Sequence, residues 1–294
     1  MNNLKVKNRK VMSTSWKIIL VIIVVLFLLS IFVRITRMND RNIVAPSEDS
    51  SIEKIVQPFD YYVPSGGGNS DVLIVAIHGG AWIGGDKSYM MNVAKYFSKK
   101  DYSVVNMNYR LIPLSSWFKK PVDVFDQIDD ITYLLDYVEG NREDFNLENN
   151  YDIVLIGHSA GAHLSAFYGV KEFAWGNHNI DYVVGLAGPY DLNIPGTNPL
   201  SDTVREYVVR DFGVEAVSPI DNIYENDQTK YLLVLGSEDV TVPHSQLINF
   251  ESELNNKGVY VESLYVQGRD HNSIFGQIPY NDVVAKKILE FLEN

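Results

Sequence analysis

Cysteine is absent from this chain of 294 residues. This absence excludes disulfide scaffolds, thiolate metal sites and cysteine nucleophiles together. No His, Asp and Glu residues stand at a convincing metal-ligand spacing, so no metal is predicted. The composition is 46% hydrophobic and 12% aromatic, which excludes a disordered or collagen-like chain.

Basic residues are scarce outside the first 41 positions. These positions carry eight Lys and Arg side chains and one Asp, whereas the whole chain has a formal net charge of −12. The remaining residues are therefore strongly acidic and repel phosphate backbones, so nucleic-acid binding is not expected. Their number suits one large α/β domain with a substantial core.

One long apolar run lies near the amino terminus. Residues 18–33 read IILVIIVVLFLLSIFV, with Ser30 as the single polar side chain. As a helix the run covers roughly 24 Å, against a hydrocarbon core of ~30 Å, and Lys17 and Arg34 at its ends can snorkel. The pattern predicts one uncleaved transmembrane helix. A cleaved signal peptide is the alternative, although no small-x-small cleavage site follows the run.

The flanking charges predict the orientation of this helix. Five basic residues precede it and three follow it by Arg41, which favours a cytoplasmic amino terminus and an extracellular domain at the cell membrane. The predicted organisation is a cytoplasmic tail (1–17), a membrane anchor (18–33), a polar linker (34–51) and a folded domain (52–294).

Strand and helix patterns alternate through the domain. Short apolar runs predict strands at 52–56, 59–63, 72–77, 103–106, 152–156, 182–186, 231–235 and 259–266. Helical spacing is found at 89–100, 123–139, from residue 160, at 203–212, 244–256 and 281–292. This alternation predicts an α/β fold with a mostly parallel sheet and helices on both faces.

The first chemical signal is the G-x-S-x-G sequence at residues 157–161. It directly follows the strand DIVLI and opens a helix. Small residues at both flanks allow a sharp strand-to-helix turn that exposes the serine hydroxyl. The context predicts that Ser159 is a nucleophile, although a turn serine without a catalytic role is the alternative.

The second signal is His-Gly-Gly-Ala-Trp at residues 78–82, at the end of the strand VLIVAI. Glycine allows backbone N–H groups to approach a substrate oxygen without an intervening Cβ. The N–H groups of Gly79, Gly80 and Ala81, together with that of Ala160, are predicted to form an oxyanion hole. A glycine-rich turn without this role is the alternative, and His78 is expected to order the loop by hydrogen bonding.

The third signal is a carboxylate and a histidine in two late loops. A nucleophilic serine needs an imidazole as its base and a carboxylate that orients the imidazole. Asp239 follows the strand YLLVL, and His271 follows the strand VYVESLYV. The chain order Ser159, Asp239, His271 is that of the α/β-hydrolase triad. Glu238 is the alternative acid.

These motifs together resemble one group of α/β-hydrolases. HGGAW (78–82), NYRL (108–111), GHSAGAHL (157–164), G-x-x-D-x-x-V-P (236–243) and the late His271 match the group that holds hormone-sensitive-lipase-type esterases, bacterial carbohydrate-esterase-like proteins and kynurenine formamidases. The resemblance spans residues 52–294. It implies a Ser159–Asp239–His271 triad and neither metal nor organic cofactor.

The chain departs from the lipase-type members in two places. Many of those members carry HGGG, whereas this chain has HGGAW. The HGGAW form is also similar to formamidases. About twenty residues precede the strand VLIVAI, which leaves no room for a long helical cap, so a minimal cap is expected. Trp82, Trp117, Trp175 and Tyr190 are candidates for the substrate pocket, with ordinary core packing as the alternative.

The predicted function is a membrane-anchored carboxylesterase that cleaves short acyl esters through an acyl-enzyme. An arylformamidase-type amide hydrolase is the alternative enzyme, because HGGAW and GHSAGAHL also fit that activity. A non-catalytic adhesion protein with a hydrolase fold is the alternative outside the enzymes. The expected partners are a small-molecule ester and the membrane, and the sequence does not specify whether the chain forms oligomers.

Overall fold

The computed structural model describes residues 56–113, 122–170, 178–197 and 199–293. The chain divides into two units, Met1–Arg41 and Asn42–Asn294, and every described residue belongs to the second unit. The predicted tail, anchor and linker all lie outside the described residues. Among the residues that are described, no helix has the length and apolar character needed to cross a membrane.

The described residues form a sheet of seven strands in the order β1-β3-β2-β4-β5-β6-β7. β1 runs antiparallel to β3, and every other neighbouring pair is parallel. The strands are β1 (Phe59–Tyr62), β2 (Ser70–Ile77), β3 (Ser103–Met107), β4 (Leu147–His158), β5 (Tyr182–Leu186), β6 (Lys230–Gly236) and β7 (Val261–Val266). Parallel strands covered on both faces need continuous apolar runs, and Leu73 to Ile77 of β2 are 0% exposed.

Helices cover both faces of this sheet, so the predicted α/β architecture is confirmed. The α-helices of the described residues are α1 (Met91–Ser98), α2 (Val124–Gly140), α3 (Ala160–Val170), α4 (Pro199–Val209), α5 (Val214–Val217), α6 (His244–Asn256), α7 (Ser273–Gly276) and α8 (Val283–Leu292). Single 3-10 turns lie at Lys87–Tyr89, Arg142–Phe145, Pro219–Asn222 and Ile278–Tyr280.

Three element boundaries differ from the sequence prediction. β4 begins at Leu147, five residues before the predicted start. The sequence did not indicate its first half because the Glu and Asn side chains there are exposed and break the apolar strand pattern. Helix α4 occupies Pro199–Val209, whereas the sequence pattern predicts 203–212. Val56 lies outside any strand, and the other residues of the predicted strand 52–56 are outside the described ones.

Helix α2 begins with a reciprocal cap. The Asp123 carboxylate accepts from the backbone N–H groups of Phe125 and Asp126, and the Asp126 carboxylate accepts from the N–H of Asp123. This capping box satisfies the first unpaired donors of the helix. It sets the start of α2, whose buried polar side chains include Gln127 and Asp130.

Asp130 anchors the segment that follows β3. Its carboxylate accepts from the backbone N–H of Arg110 at 2.7 Å and from the Arg110 Nε at 2.8 Å. The Asp130 side chain is 0% exposed, whereas that of Arg110 is 31% exposed. Burial raises the pKa of Asp130 to about 7, although the hydrogen bonds from Arg110 oppose this shift. The pair therefore fixes the segment that follows β3, at the carboxyl edge of the sheet, to helix α2.

Replacing Asp130 by Ala should destabilise the domain. The substitution leaves the Arg110 N–H without its buried acceptor. Breaking such a pair costs about 3 kcal/mol of unfolding free energy, and the cost is smaller where the guanidinium remains partly hydrated. Urea unfolding measures this loss. Asp129→Ala, at the neighbouring half-exposed position, is the matched control and should change the unfolding free energy by less than about 0.5 kcal/mol. Equal losses in the two variants would contradict the assignment of an anchor.

Candidate active site

Ser159 sits on a sharp turn between strand and helix. β4 ends at His158 and α3 begins at Ala160, so the single residue between them reverses the chain. Ser159 has a φ of 54°, and its N–H donates to the carbonyl of Leu186 at 2.8 Å. A left-handed residue other than glycine is strained and persists where its surroundings hold it. Its side chain is half-buried, as a nucleophile elbow requires.

The two glycines of the motif make this turn possible. A Cβ on Gly157 would lie 2.1 Å from the carbonyl oxygen of Gly161. A Cβ on Gly161 would lie 2.3 Å from the carbonyl oxygen of Ile77, at the end of β2. Any larger residue at either position would push α3 away from the sheet. The glycines therefore bring the amino end of α3 directly against the end of β2.

The loop after β2 lies beside the serine. A Cβ on Gly79 would lie 3.0 Å from the Ser159 Cβ, so the two backbones are in close contact. Gly80 has a φ of 133°, and Ala81 and Trp82 follow with φ values of 54° and 62°. The turn is closed by the N–H of Gly84, which donates to the Gly80 carbonyl at 2.9 Å. This geometry brings Gly79, the first residue of the predicted oxyanion segment, next to Ser159.

Asp239 and His271 are hydrogen-bonded to each other. The His271 Nδ1 donates to the Asp239 Oδ2 at 2.8 Å, and the Asp239 side chain is 0% exposed. The second carboxylate oxygen accepts from the N–H groups of Thr241 at 2.8 Å and Val242 at 2.9 Å. An aspartate held in this way fixes the ring orientation of the histidine and leaves its Nε2 available as a base.

The same hydrogen bonds control the charge of Asp239. Burial pushes the pKa of Asp239 upward, but the hydrogen bond and charge of His271 and the backbone N–H groups of Val242 and Thr241 outweigh it. The pKa of Asp239 therefore lies below its ordinary value, and the carboxylate stays ionised at neutral pH. Because this pKa is lowered, the stabilisation it brings is present above the unfolded pKa and is lost as the pH falls through the folded one.

Glu238, the alternative acid, is exposed to solvent. Its N–H donates to the carbonyl of Arg269 at 2.9 Å, so its backbone joins the two late loops. A Cβ on Gly236 would lie 2.1 Å from the same carbonyl oxygen, which shows how closely these loops approach. The geometry favours Asp239 over Glu238 as the partner of the histidine.

His158 connects the elbow to the loop that carries His271. Its Nε2 donates to the His271 backbone carbonyl at 2.8 Å, and the two ring centroids are 4.8 Å apart. Burial and the neighbouring His271 lower the pKa of His158 to about 3, so the ring is neutral. The residue next to Ser159 thus holds the backbone of the predicted base.

His78 orders its own loop, as the sequence indicates. Its Nδ1 donates to the Gly79 carbonyl at 2.7 Å, and its ring stacks on Tyr109 with centroids 4.3 Å apart. The Tyr109 hydroxyl in turn donates to the His78 carbonyl at 3.0 Å. Burial lowers the pKa of His78 to about 4, which keeps the ring neutral.

Trp82 and Tyr190, the predicted pocket residues, are both in the core. Trp82 is 5% exposed and its ring packs edge-on against His163. Tyr190 is 1% exposed and stacks on Phe250 with centroids 4.6 Å apart. These contacts favour the packing alternative for both side chains. The two other candidates, Trp117 and Trp175, lie outside the described residues.

Two buried glutamines support the site and were not predicted from the sequence. The Gln127 Nε2 donates to the carbonyls of Trp82 and Arg110 at 2.8 and 2.7 Å. The Gln246 Oε1 accepts from the N–H groups of Tyr190 and Asp191, both at 2.7 Å. A polar residue on the apolar face of α2 was the available signal for Gln127, because buried polar groups need partners.

No group of three or more His, Asp and Glu side chains that could hold a metal ion is found within the described residues. The described loops at the carboxyl edge instead carry an ionised aspartate, a hydrogen-bonded histidine and a strained serine. This combination on a mostly parallel sheet is typical of the α/β-hydrolase class.

Comparison with known proteins identifies the family within this class. The BD-FAE family matches residues 59–254, more than half of the chain, and the chain belongs to that family. The predicted resemblance to carboxylesterases of the α/β-hydrolase group is therefore confirmed.

Curated relatives and solved structures carry the names of esterases, in agreement with the prediction of a carboxylic ester hydrolase. A probable isoprenylcysteine alpha-carbonyl methylesterase of Arabidopsis thaliana is 24% identical over 242 residues, covering 75% of this chain and 49% of the relative. A second Arabidopsis thaliana methylesterase is 25% identical, covering 75% of this chain and 55% of the relative. The chain thus spans about half the length of the curated relatives it matches.

Two solved structures illustrate the shared fold. The truncated form of a carbohydrate esterase from gut microbiota is 23% identical with a TM-score of 0.66, and the match covers 84% of this chain and 93% of that one. Esterase B from Lactobacillus Rhamnosis is 18% identical with a TM-score of 0.67, covering 85% of this chain and 82% of that one.

Asp239→Asn should abolish most of the reactivity of the serine. An amide in place of the carboxylate favours the wrong tautomer of His271, and such a change lowers the rate by a factor on the order of 10⁴. The rate of labelling by a fluorophosphonate probe measures this loss. Glu238→Gln removes the neighbouring exposed carboxylate and should leave labelling within about twofold, since surface changes of this kind are nearly neutral. A larger loss in Glu238→Gln than in Asp239→Asn would reverse the assignment of the acid.

Proposed function

We propose that this chain is a carboxylesterase that cleaves short acyl esters through an acyl-enzyme on Ser159. The observation that carries the proposal is the hydrogen bond from His271 to the buried, ionised Asp239, in a domain whose serine occupies the elbow turn. A histidine held by a carboxylate on one nitrogen is equipped to remove a proton with the other.

In the proposed reaction, the His271 Nε2 takes the proton from the Ser159 hydroxyl as the oxygen attacks the ester carbonyl. Asp239 keeps the ring oriented and stabilises the imidazolium that forms. The N–H groups of Ala160 and of residues 79–81 stabilise the developing oxyanion, and His271 then gives its proton to the leaving alcohol. Water activated by the same histidine hydrolyses the acyl-enzyme and restores Ser159.

The names of relatives support an ester rather than an amide as the substrate. They include isoprenylcysteine alpha-carbonyl methylesterases and a carbohydrate esterase, and both names describe esterases. For an outward-facing domain we propose extracellular esters, such as acetylated polysaccharide. The formamide alternative keeps the support of the HGGAW and GHSAGAHL sequences, and a panel of acyl esters and formamides separates the two activities.

Ser159→Ala should abolish hydrolysis of p-nitrophenyl acetate and labelling by a fluorophosphonate. Loss of the nucleophile removes covalent catalysis, and a fall by a factor on the order of 10⁶ is expected. Ser165→Ala is the matched control, since Ser165 lies on the same helix α3 and its hydroxyl donates to the Gly161 carbonyl at 2.8 Å. This control should keep its activity. Hydrolysis retained in Ser159→Ala would refute Ser159 as the nucleophile, whereas a folded wild-type chain that is not labelled would favour the non-catalytic alternative.

We also propose that residues 18–33 anchor the protein in the cell membrane, with the amino terminus cytoplasmic and the domain outside. The support is the sixteen-residue apolar run and the five basic residues that precede it. The proposed anchor does not take part in the chemistry, so activity and membrane attachment are separable properties.

Two charges in the middle of this run should release the protein from membranes. Val24→Lys combined with Leu28→Lys adds about 2.5–3.5 kcal/mol per lysine to the cost of insertion. We expect the full-length wild-type chain to remain in the membrane pellet after carbonate extraction and the double lysine variant to move to the supernatant. Val24→Leu is the apolar control and should remain in the pellet. Extraction of the wild-type chain by carbonate would refute the anchor, and protection of the domain from protease added to intact cells would refute its orientation.

A further inference from the structure

The loop that carries the proposed oxyanion donors has an unusual backbone. Gly80, Ala81 and Trp82 are three successive residues with positive φ, at 133°, 54° and 62°. For residues other than glycine the left-handed region costs roughly 1–2 kcal/mol each, so something in the surrounding structure must hold Ala81 and Trp82 there.

Trp82 fixes this loop through hydrogen bonds of both its backbone and its side chain. Its carbonyl accepts from the Ile112 N–H at 3.0 Å and from the Gln127 Nε2 at 2.8 Å. Its indole Nε1 donates to the His163 Nδ1 at 3.1 Å, in a site where Trp82 is 5% exposed. The backbone of the loop is thus tied to α2, and its side chain is tied to α3.

His163 is 0% exposed and uses both ring nitrogens. Its Nδ1 accepts from Trp82, and its Nε2 donates to the Val217 carbonyl at 2.8 Å. These two bonds require a neutral ring with the proton on Nε2. Burial also lowers the pKa of His163 to about 4, so the ring keeps this single form at neutral pH.

His163 lies one helical turn after the serine. Its N–H donates to the Ser159 carbonyl at 3.0 Å, in the first turn of α3, which also contains Ala160. The imidazole therefore connects the helix that supplies one proposed oxyanion donor to the loop that supplies the others. Through Val217 it also connects both to the segment between β5 and β6.

We propose that His163 is a positioning residue of the oxyanion hole, which sets the distance between the loop at 79–81 and the first turn of α3 by holding the Trp82 indole. It does not touch the substrate. The inference rests on the proposed esterase function. A residue that only fills space would affect folding stability, whereas a positioning residue also affects interactions that strengthen in the transition state.

The variants that separate these roles are made in the full-length chain. His163→Leu removes both hydrogen bonds at similar volume, and His163→Gln keeps one donor and one acceptor. Trp82→Phe removes the indole N–H from the other side of the contact. Leu164→Ala is the packing control, because Leu164 is the next residue of α3, 0% exposed and apolar.

We expect His163→Leu to lower kcat for p-nitrophenyl acetate by about 100-fold with KM nearly unchanged, since a misplacement near 1 Å costs on that order. The affinity for a trifluoromethyl ketone, which mimics the tetrahedral intermediate, should fall by the same factor. Trp82→Phe should act in the same direction, and the double variant should lose little more than the larger single loss, because both remove one contact. His163→Gln should recover most of kcat.

Hydrogen–deuterium exchange supplies a readout that does not depend on activity. His163→Leu should raise the deuterium uptake of the peptide covering residues 78–85, while Leu164→Ala should lower the unfolding temperature without this local effect. Absence of hydrolysis in the wild-type chain would refute the esterase proposal alone, because the exchange test still applies. The positioning role is overturned if His163→Leu leaves uptake unchanged, or if Leu164→Ala lowers kcat as much. Should His163→Leu fail to fold, Trp82→Phe carries the same two tests.

Discussion

The site depends on the close contact between the amino end of α3 and the end of β2. Cβ atoms at Gly157 and Gly161 would lie 2.1 and 2.3 Å from backbone oxygens, so only glycine allows this contact. Because the helix starts so close to the sheet, Ser159 is forced into a left-handed conformation that raises its side chain beside Gly79. The proposed nucleophile, the helix amino terminus and the glycine-rich loop are thereby brought together by one packing constraint.

Buried polar side chains hold the remaining parts of the site relative to this turn. His158 binds the carbonyl of His271, and Gln127 binds the carbonyl of Trp82. Gln246 accepts a hydrogen bond from the backbone N–H of Tyr190, after β5. Each is a buried group that hydrogen-bonds to loop backbone, and Gln127 joins two loops because it also donates to the Arg110 carbonyl. Loss of such a bond leaves an unpaired partner. Loops at different strand ends are in this way fixed to the rigid helices and sheet.

The strands and most helices could be predicted from the sequence because their apolar periodicity is strong. The elbow could be predicted because its glycines form the G-x-S-x-G motif. The Asp239–His271 pair could be predicted because the two residues follow late strands in the chain order of the triad. The roles of Gln127, Gln246 and His158 could not, since each depends on which backbone carbonyl or N–H lies opposite in three dimensions. Trp82 and Tyr190 illustrate the same limit, because an aromatic residue near a motif packs equally well in a core or against a ligand.

The central claim is that the elbow serine is an activated nucleophile. Its most direct test is the reaction of the wild-type chain with an alkyl fluorophosphonate, followed by intact-mass and peptide analysis. The account predicts one adduct per chain, located on the peptide that contains Ser159, and no adduct after unfolding in urea. An adduct on another serine, or none on a chain shown to be folded, would contradict it.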